Sequence, residues 1–166
     1  AIDAAATAKK AEIDQTPNAT DEEKAAAKAK VDEAVTEAKH QIDQVTNNQS
    51  VDDAKTHGTE SINQVQPTVV KKEEAKRAID ATATTKKAEI DQTPNATDEE
   101  KAAAKAKVDE TVTEAKHQID QATNNQGVDD AKTHGTDSIN QVQPTVVKKD
   151  EAKQAIDAAA IAKKAE

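Results

Sequence analysis

The chain has 166 residues, a net charge of −9 and no Cys, Trp, Tyr, Phe, Met or Leu, so Ile and Val are its only large apolar side chains and a deep pocket is not expected. With a third of the residues charged and many of the rest Ala, the composition is that of long helices rather than of an ordinary globule. The acidic balance excludes nucleic acid, no apolar run approaches the ~20 residues that cross a bilayer, no signal-peptide core is present, and the lack of Cys excludes disulfides and thiolate metal sites.

Ala1-Ile2-Asp3 lies inside a predicted helix that closes at the Thr16-Pro17-Asn18 turn. The next helix has the clearest seam, with Val31, Val35, Ala38, Ile42 and Val45 spaced alternately four and three apart. Its start is marked by Thr20-Asp21-Glu22-Glu23: the Thr hydroxyl can take the third helical amide, Glu23 can reach back, and the acids suit the positive end of the dipole. Asn47-Asn48 ends it, at about Thr46. A third helix is expected from the Ser50-Val51-Asp52-Asp53 cap, through Ala54, Gly58 and Ile62, to Val65. Pro67 stops it, because Pro lacks the N–H donor and restricts Gln66 as well. From about Val70 to about Asp91 runs a helix with the weakest seam, Ala75, Ile79, Ala83 and Ile90, in which Lys86 takes one turn. It closes at Thr93-Pro94-Asn95 and is the full-length copy of the opening helix.

That recurrence is general, with a period of 77 residues. Ala1-Ile2-Asp3 returns as Ala78-Ile79-Asp80 and Ala155-Ile156-Asp157, and residues 1–77 and 78–154 differ at only eight positions, among them Ala5/Thr82, Ala34/Thr111, Val45/Ala122, Ser50/Gly127 and Glu60/Asp137. The expected domains are therefore 1–77, with its first helix truncated, 78–154, and 155–166 as the start of a third copy cut from a longer array. Short connections make sequential helices antiparallel neighbours, so each repeat is expected to be a three-helix bundle. Three antiparallel helices place entry and exit at opposite ends, and the fold class expected is all-α, tandem three-helix bundles chained end to end into an elongated rod of ~80–110 Å.

Unequal helix lengths, ~39 Å for Asp21 to Thr46 against ~23 Å for Val51 to Val65, leave an upper seam uncovered. Val69 and Val70 are expected to dock there, and Val146 and Val147 in the second copy. A core this small supplies only ~3–5 kcal/mol, and Ile42→Ala is expected to cost roughly 2–5 kcal/mol.

No residue constellation points to chemistry: the expected catalytic, cofactor and metal sites are none. His40 lies near Glu37 and Asp43 but on a solvated face, and His57, His117 and His134 have no ligand-like partner. Glu22-Glu23 and Asp52-Asp53 are paired carboxylates, yet acid/base work needs a desolvating pocket and a helix start already explains each pair. Asn18-Ala19-Thr20 and Asn95-Ala96-Thr97 match a glycosylation acceptor pattern while also serving a turn and a cap. Gly58 and Gly135 sit mid-helix on the seam at a cost of ~1 kcal/mol each. A hinge or ligand approach would explain them; we favour a close helix contact or local kink.

The stretches Ala-Ile-Asp-Ala-x-x-x-x-Lys-Lys-Ala-Glu-Ile-Asp, Thr-Pro-Asn-Ala-Thr-Asp-Glu-Glu-Lys-Ala-Ala-Ala-Lys-Ala-Lys-Val-Asp and Val-Asp-Asp-Ala-Lys-Thr-His-Gly carry a resemblance that covers the entire chain. It resembles the helical repeats, of unknown function, of staphylococcal wall-anchored surface proteins such as the methicillin-resistance surface protein and its biofilm-associated relatives. The resemblance implies a Gram-positive cell surface, an adhesive region on one side of the array and a wall-anchoring C-terminal region on the other, and no catalytic residues. The function expected is a structural spacer or stalk, since adding a near-identical repeat adds length and nothing else. The alternative is a weak multivalent binding module for host matrix or bacterial surface proteins. Against it stand the absence of aromatics and the single Arg, Arg77, which the next copy replaces by Gln154.

Overall fold

The computed structural model describes all residues from 1 to 166: seven α-helices and no strand, with 80% of the chain helical. The helices are α1 (Ile2–Asp14), α2 (Asp21–Gln44), α3 (Asn48–Asn63), α4 (Lys71–Asp91), α5 (Asp98–Gln121), α6 (Asn125–Asn140) and α7 (Lys148–Ala165). The all-α, bundle-forming expectation holds. By its internal contacts the chain forms two compact units, Ala1–Glu74 with Ala122–Val128, and Ala75–Gln121 with Asp129–Glu166.

In the first unit each of α1, α2 and α3 packs on the other two. Ile2, Ala6 and Ile13 of α1, Ala27, Val31 and Ala38 of α2 and Ile62 of α3 form the buried core. Val35, Ile42 and Val65 pack against its edge, partly buried, so the α2 seam is deepest nearer the helix start than the spacing alone suggests. The second unit repeats the plan with Ile79, Ala83 and Ile90 of α4, Val108, Ala115 and Ile119 of α5, and Ile139 of α6. No residue of α7 is buried.

Lys86 interrupts the α4 seam in sequence but not in space. It is 5% exposed, as is Lys9 at the same place on α1. Their aliphatic stems lie along the apolar stripe, while the ammonium groups reach Glu89 (3.3 Å) and Glu12 (3.1 Å) one turn on. The seam glycines are explained by close helix approach. A Cβ at Gly58 would lie 2.6 Å from the Ala38 Cβ and 3.0 Å from Ile2 Cδ1; at Gly135 it would lie 2.6 Å from the Ala115 Cβ and 2.9 Å from Ile79 Cδ1. Both backbones are helical, with no positive φ at any glycine.

Charged residues flank the apolar stripe and cross-link the first two helices of each bundle. Lys10 pairs with Asp32, Lys28 with Asp14 and Lys39 with Asp3 (2.8 Å); in the second copy Lys87 pairs with Asp109, Lys105 with Asp91 and Lys116 with Asp80 (2.7 Å). All are largely solvated, so each is worth at most ~1 kcal/mol. A hydrogen bond from Lys39, then its charge, holds the Asp3 carboxyl below the usual carboxylate range.

Two boundaries differ from the sequence expectation, for one reason. Asn47, extended at φ −135° and ψ 162°, caps α3: its Oδ1 accepts the Ser50 N–H at 2.9 Å. Ser50 is thus a helical residue, not the cap, and α2 stops at Gln44 to leave Asn47 free for that task. Asn124 does the same for α6, accepting from Gly127 at 2.7 Å, which is why Gly127 can replace Ser50. Asp52 and Asp53 accordingly fall beyond the first turn of α3, where Asp52 pairs with Lys55 (3.6 Å) and Asp53 accepts from Gln49 Nε2 (2.9 Å). Asn18 and Asn95 follow the prolines of the turns with φ 65° and 67°, a left-handed conformation that Asn tolerates well.

Candidate functional site

The opening turn of α2 carries a connected set of hydrogen bonds. Thr20, fully buried and extended, accepts the Glu23 N–H on its hydroxyl (3.2 Å), while Glu23 Oε1 accepts the Thr20 N–H (2.9 Å). This is the reciprocal capping box that the Thr-x-x-Glu spacing announces. The second carboxylate oxygen does something the spacing does not announce. Glu23 Oε2 accepts the backbone N–H groups of Val70 (2.7 Å) and Lys71 (3.2 Å), where α4 begins. One side chain therefore stands at the positive ends of two helices.

Its neighbours extend the arrangement. Glu22 Oε2 accepts the N–H of Asn125, the first residue of α6, at 2.8 Å, and the Asp21 N–H donates to the Thr123 carbonyl at 2.8 Å. The second copy has the same clamp on Glu100: the Thr97 N–H at 2.9 Å on one oxygen, and Val147 (2.9 Å) and Lys148 (2.8 Å), at the start of α7, on the other. Hydrogen bonds from Thr97, Lys148 and Val147 lower the Glu100 carboxyl to about 2. At Glu23 partial burial pushes the carboxyl up, but the bonds from Thr20, Val70 and Lys71 together outweigh it and the net direction is down.

Val70 itself is corrected by this geometry. Val70 is 45% exposed, as is Val147, whereas Val69 and Val146 are half-buried, so one valine of each pair is partly covered and the segment after Pro67 is also held by its backbone amides. Glu23 is the signal that the spacing leaves unread, because its second oxygen is idle in a simple capping box.

The residues considered for chemistry are not brought together. His40 is exposed, and no group of three or more His, Asp or Glu side chains is placed to hold a metal ion. His57 lies on the rim of a groove of about 570 Å³ between α2 and α3, floored by Ala34, Ala38 and Gly58 and edged by Glu37 and Asp53. Asn18 and Asn95 are exposed, whereas the Thr20 hydroxyl of the first acceptor pattern is buried in its cap. No helix is long and apolar enough to cross a membrane.

The family model described as Domain of Unknown Function (DUF1542) matches residues 1–70 and again 71–147. This chain belongs to the DUF1542 family. Proteins named extracellular matrix-binding protein EbhA from Staphylococcus aureus strains Mu3 and Newman are 30% and 31% identical to it over 146 residues, as is, at 31%, extracellular matrix-binding protein ebh of strain NCTC 8325. The alignment takes 88% of this chain but only 2–4% of those relatives. No solved structure matches. The second DUF1542 match opens at Lys71, the residue whose amide Glu23 holds.

Proposed function

We propose that this chain is a spacer, a length of stalk from a bacterial cell-surface protein that holds an adhesive region away from the wall, and that it is not an enzyme. One observation carries the reading: the same carboxylate clamp recurs at Glu23 and Glu100, each time on the start of the next helix beyond Pro67 or Pro144. The carboxylates with lowered proton affinity, Glu23 and Glu100, thus spend their oxygens on backbone amides of helix starts. The repeat unit in this reading is the 77-residue period, 1–77, 78–154 and the start of a third from 155. Its three antiparallel helices make every added copy add length. Small-angle scattering on chains of one, two and four repeats tests this: the maximum dimension should grow linearly with repeat number. Growth as the cube root of mass, the signature of a globule, would overturn the reading.

A second reading is a weak, multivalent matrix-binding module at the cell surface. It is favoured by the names of the relatives, extracellular matrix-binding proteins, though this chain spans a few per cent of their length. Binding of the two-repeat chain to serum proteins, matrix proteins and itself, against an unrelated helical rod, separates the two. Saturable binding above the control supports the module.

A further inference from the structure

Two helices, α4 and α6, begin in the first compact unit and continue into the second: Lys71–Glu74 and Asn125–Val128 belong to the first, and the remainders to the second. Their first amides are held by two adjacent side chains of α2, Glu23 on Val70 and Lys71, and Glu22 on Asn125. The first amides of a helix have no partner within it, and an acceptor supplied from outside stabilises the helix as a whole, because helix formation is cooperative from its nucleus. The carboxylates also face the positive ends of those helices.

We propose that Glu22 and Glu23 are the coupling residues of the array: they make the folded state of α2 in one repeat a condition for the stability of the helices that build the next. When the opening turn of α2 frays, α4 and α6 both lose an acceptor for their first amides; by reciprocity, loss of α4 and α6 takes the Asn125 amide from Glu22, leaves Glu23 with Thr20 alone and loosens α2. Neighbouring repeats then unfold together rather than singly, the nearest-neighbour term of a one-dimensional array located in two side chains. This holds whether the repeats serve as spacer or as binding module. It also differs from a plain capping role, in which Glu23 would stabilise only its own helix through Thr20.

The test is a double-mutant cycle read by hydrogen exchange. Ile139, fully buried in α6, is changed to Ala to weaken the second repeat, and exchange is followed in peptides spanning Ala34 of α2, which Thr111 replaces in the second copy so that mass separates the two. In the parent chain I139A should speed exchange across α2 by about tenfold or more. In E22Q/E23Q the same change should speed it by less than about twofold. Thr20→Ala is the control, since it removes the capping-box hydroxyl and leaves both carboxylates: it should lower α2 protection yet keep the response to I139A. If I139A unfolds the second repeat outright, I139V gives the graded change and the same comparison. An I139A or I139V effect on α2 that is equal in the parent and in E22Q/E23Q, or absent from the parent, would overturn the proposal.

Discussion

At Gly58 the seam is closed so tightly that a single methyl has nowhere to go. Alanine there gains ~1 kcal/mol of helix propensity, but it sets Cβ against Cβ at 2.6 Å, and neither Ala38 nor the α3 backbone can rotate away. Gly58→Ala is therefore expected to destabilise the first repeat by about 1–3 kcal/mol in chemical denaturation, and Ala38→Gly combined with it should recover part of the loss, since the two positions share one contact. The sequence marks both glycines as anomalous and favours a close helix contact or local kink over a hinge, and the contact holds; what it does not name is the partner, an alanine with no signature of its own. Lys86 shows the opposite limit. Its position was legible as a seam position and its charge argued against burial, because sequence spacing does not reveal that a lysine stem can lie on the stripe while its head reaches the acid three residues on.

Among the elements, the caps were the most legible and their second partners the least. Thr20 and Glu23 announce a capping box by local spacing, whereas the amides of Val70 and Lys71 lie 47 and 48 residues further on, beyond the reach of any local pattern. Those bonds have a pH signature. Glu23 and Glu100 have carboxyls lowered on folding, so their contribution is fully present above the unfolded value near 4.5 and is lost as pH falls through the folded value, about 2 for Glu100. Thermal midpoints should be flat above about pH 5 and fall between about pH 4.5 and 2, and E23Q/E100Q should flatten that fall while lowering the midpoint at neutral pH. A parent midpoint unchanged down to about pH 2 would contradict the clamp. Core substitutions should likewise follow depth rather than spacing. Ile62, fully buried, should lose about 2–5 kcal/mol on change to Ala, and Ile42, only partly buried, should lose less. Equal losses in urea denaturation would misplace the centre of the core.

For the molecule as a whole, composition, seams and caps carry the all-α fold, short connections carry the bundle plan, and the 77-residue period carries its recurrence. The clamp chemistry was not visible, because it ties together helix starts far apart in the sequence. Helix α7 offers a whole-chain check. None of its residues is buried, with Ile156 and Ile161 68% and 69% exposed, so it adds helix without adding core. Removing 148–166 takes away no core but takes the Lys148 amide from Glu100, so the remainder should unfold at a lower urea concentration than the parent, and that difference should vanish in an E100Q background. An equal loss with and without Glu100 would show that α7 supports the bundle by packing instead.

Bundles lined with alanine face a hazard that richer cores avoid: helices of small, similar side chains can slide along one another at little loss of contact. The ion pairs between α1 and α2, each weak, guard against it by their order along the helix. With Asp3 opposite Lys39, Lys10 opposite Asp32 and Asp14 opposite Lys28, the helices are in their native register. A slip of seven residues, about 10 Å, sets Lys10 against Lys39 in one direction; in the other it sets Asp3 against Asp32 and Asp14 against Asp21. Like charges then meet wherever the apolar pattern would nearly match again. Charge order thus supplies the uniqueness of alignment that a core of Ala, Val and Ile cannot, which lets a chain so poor in large side chains still settle on one structure.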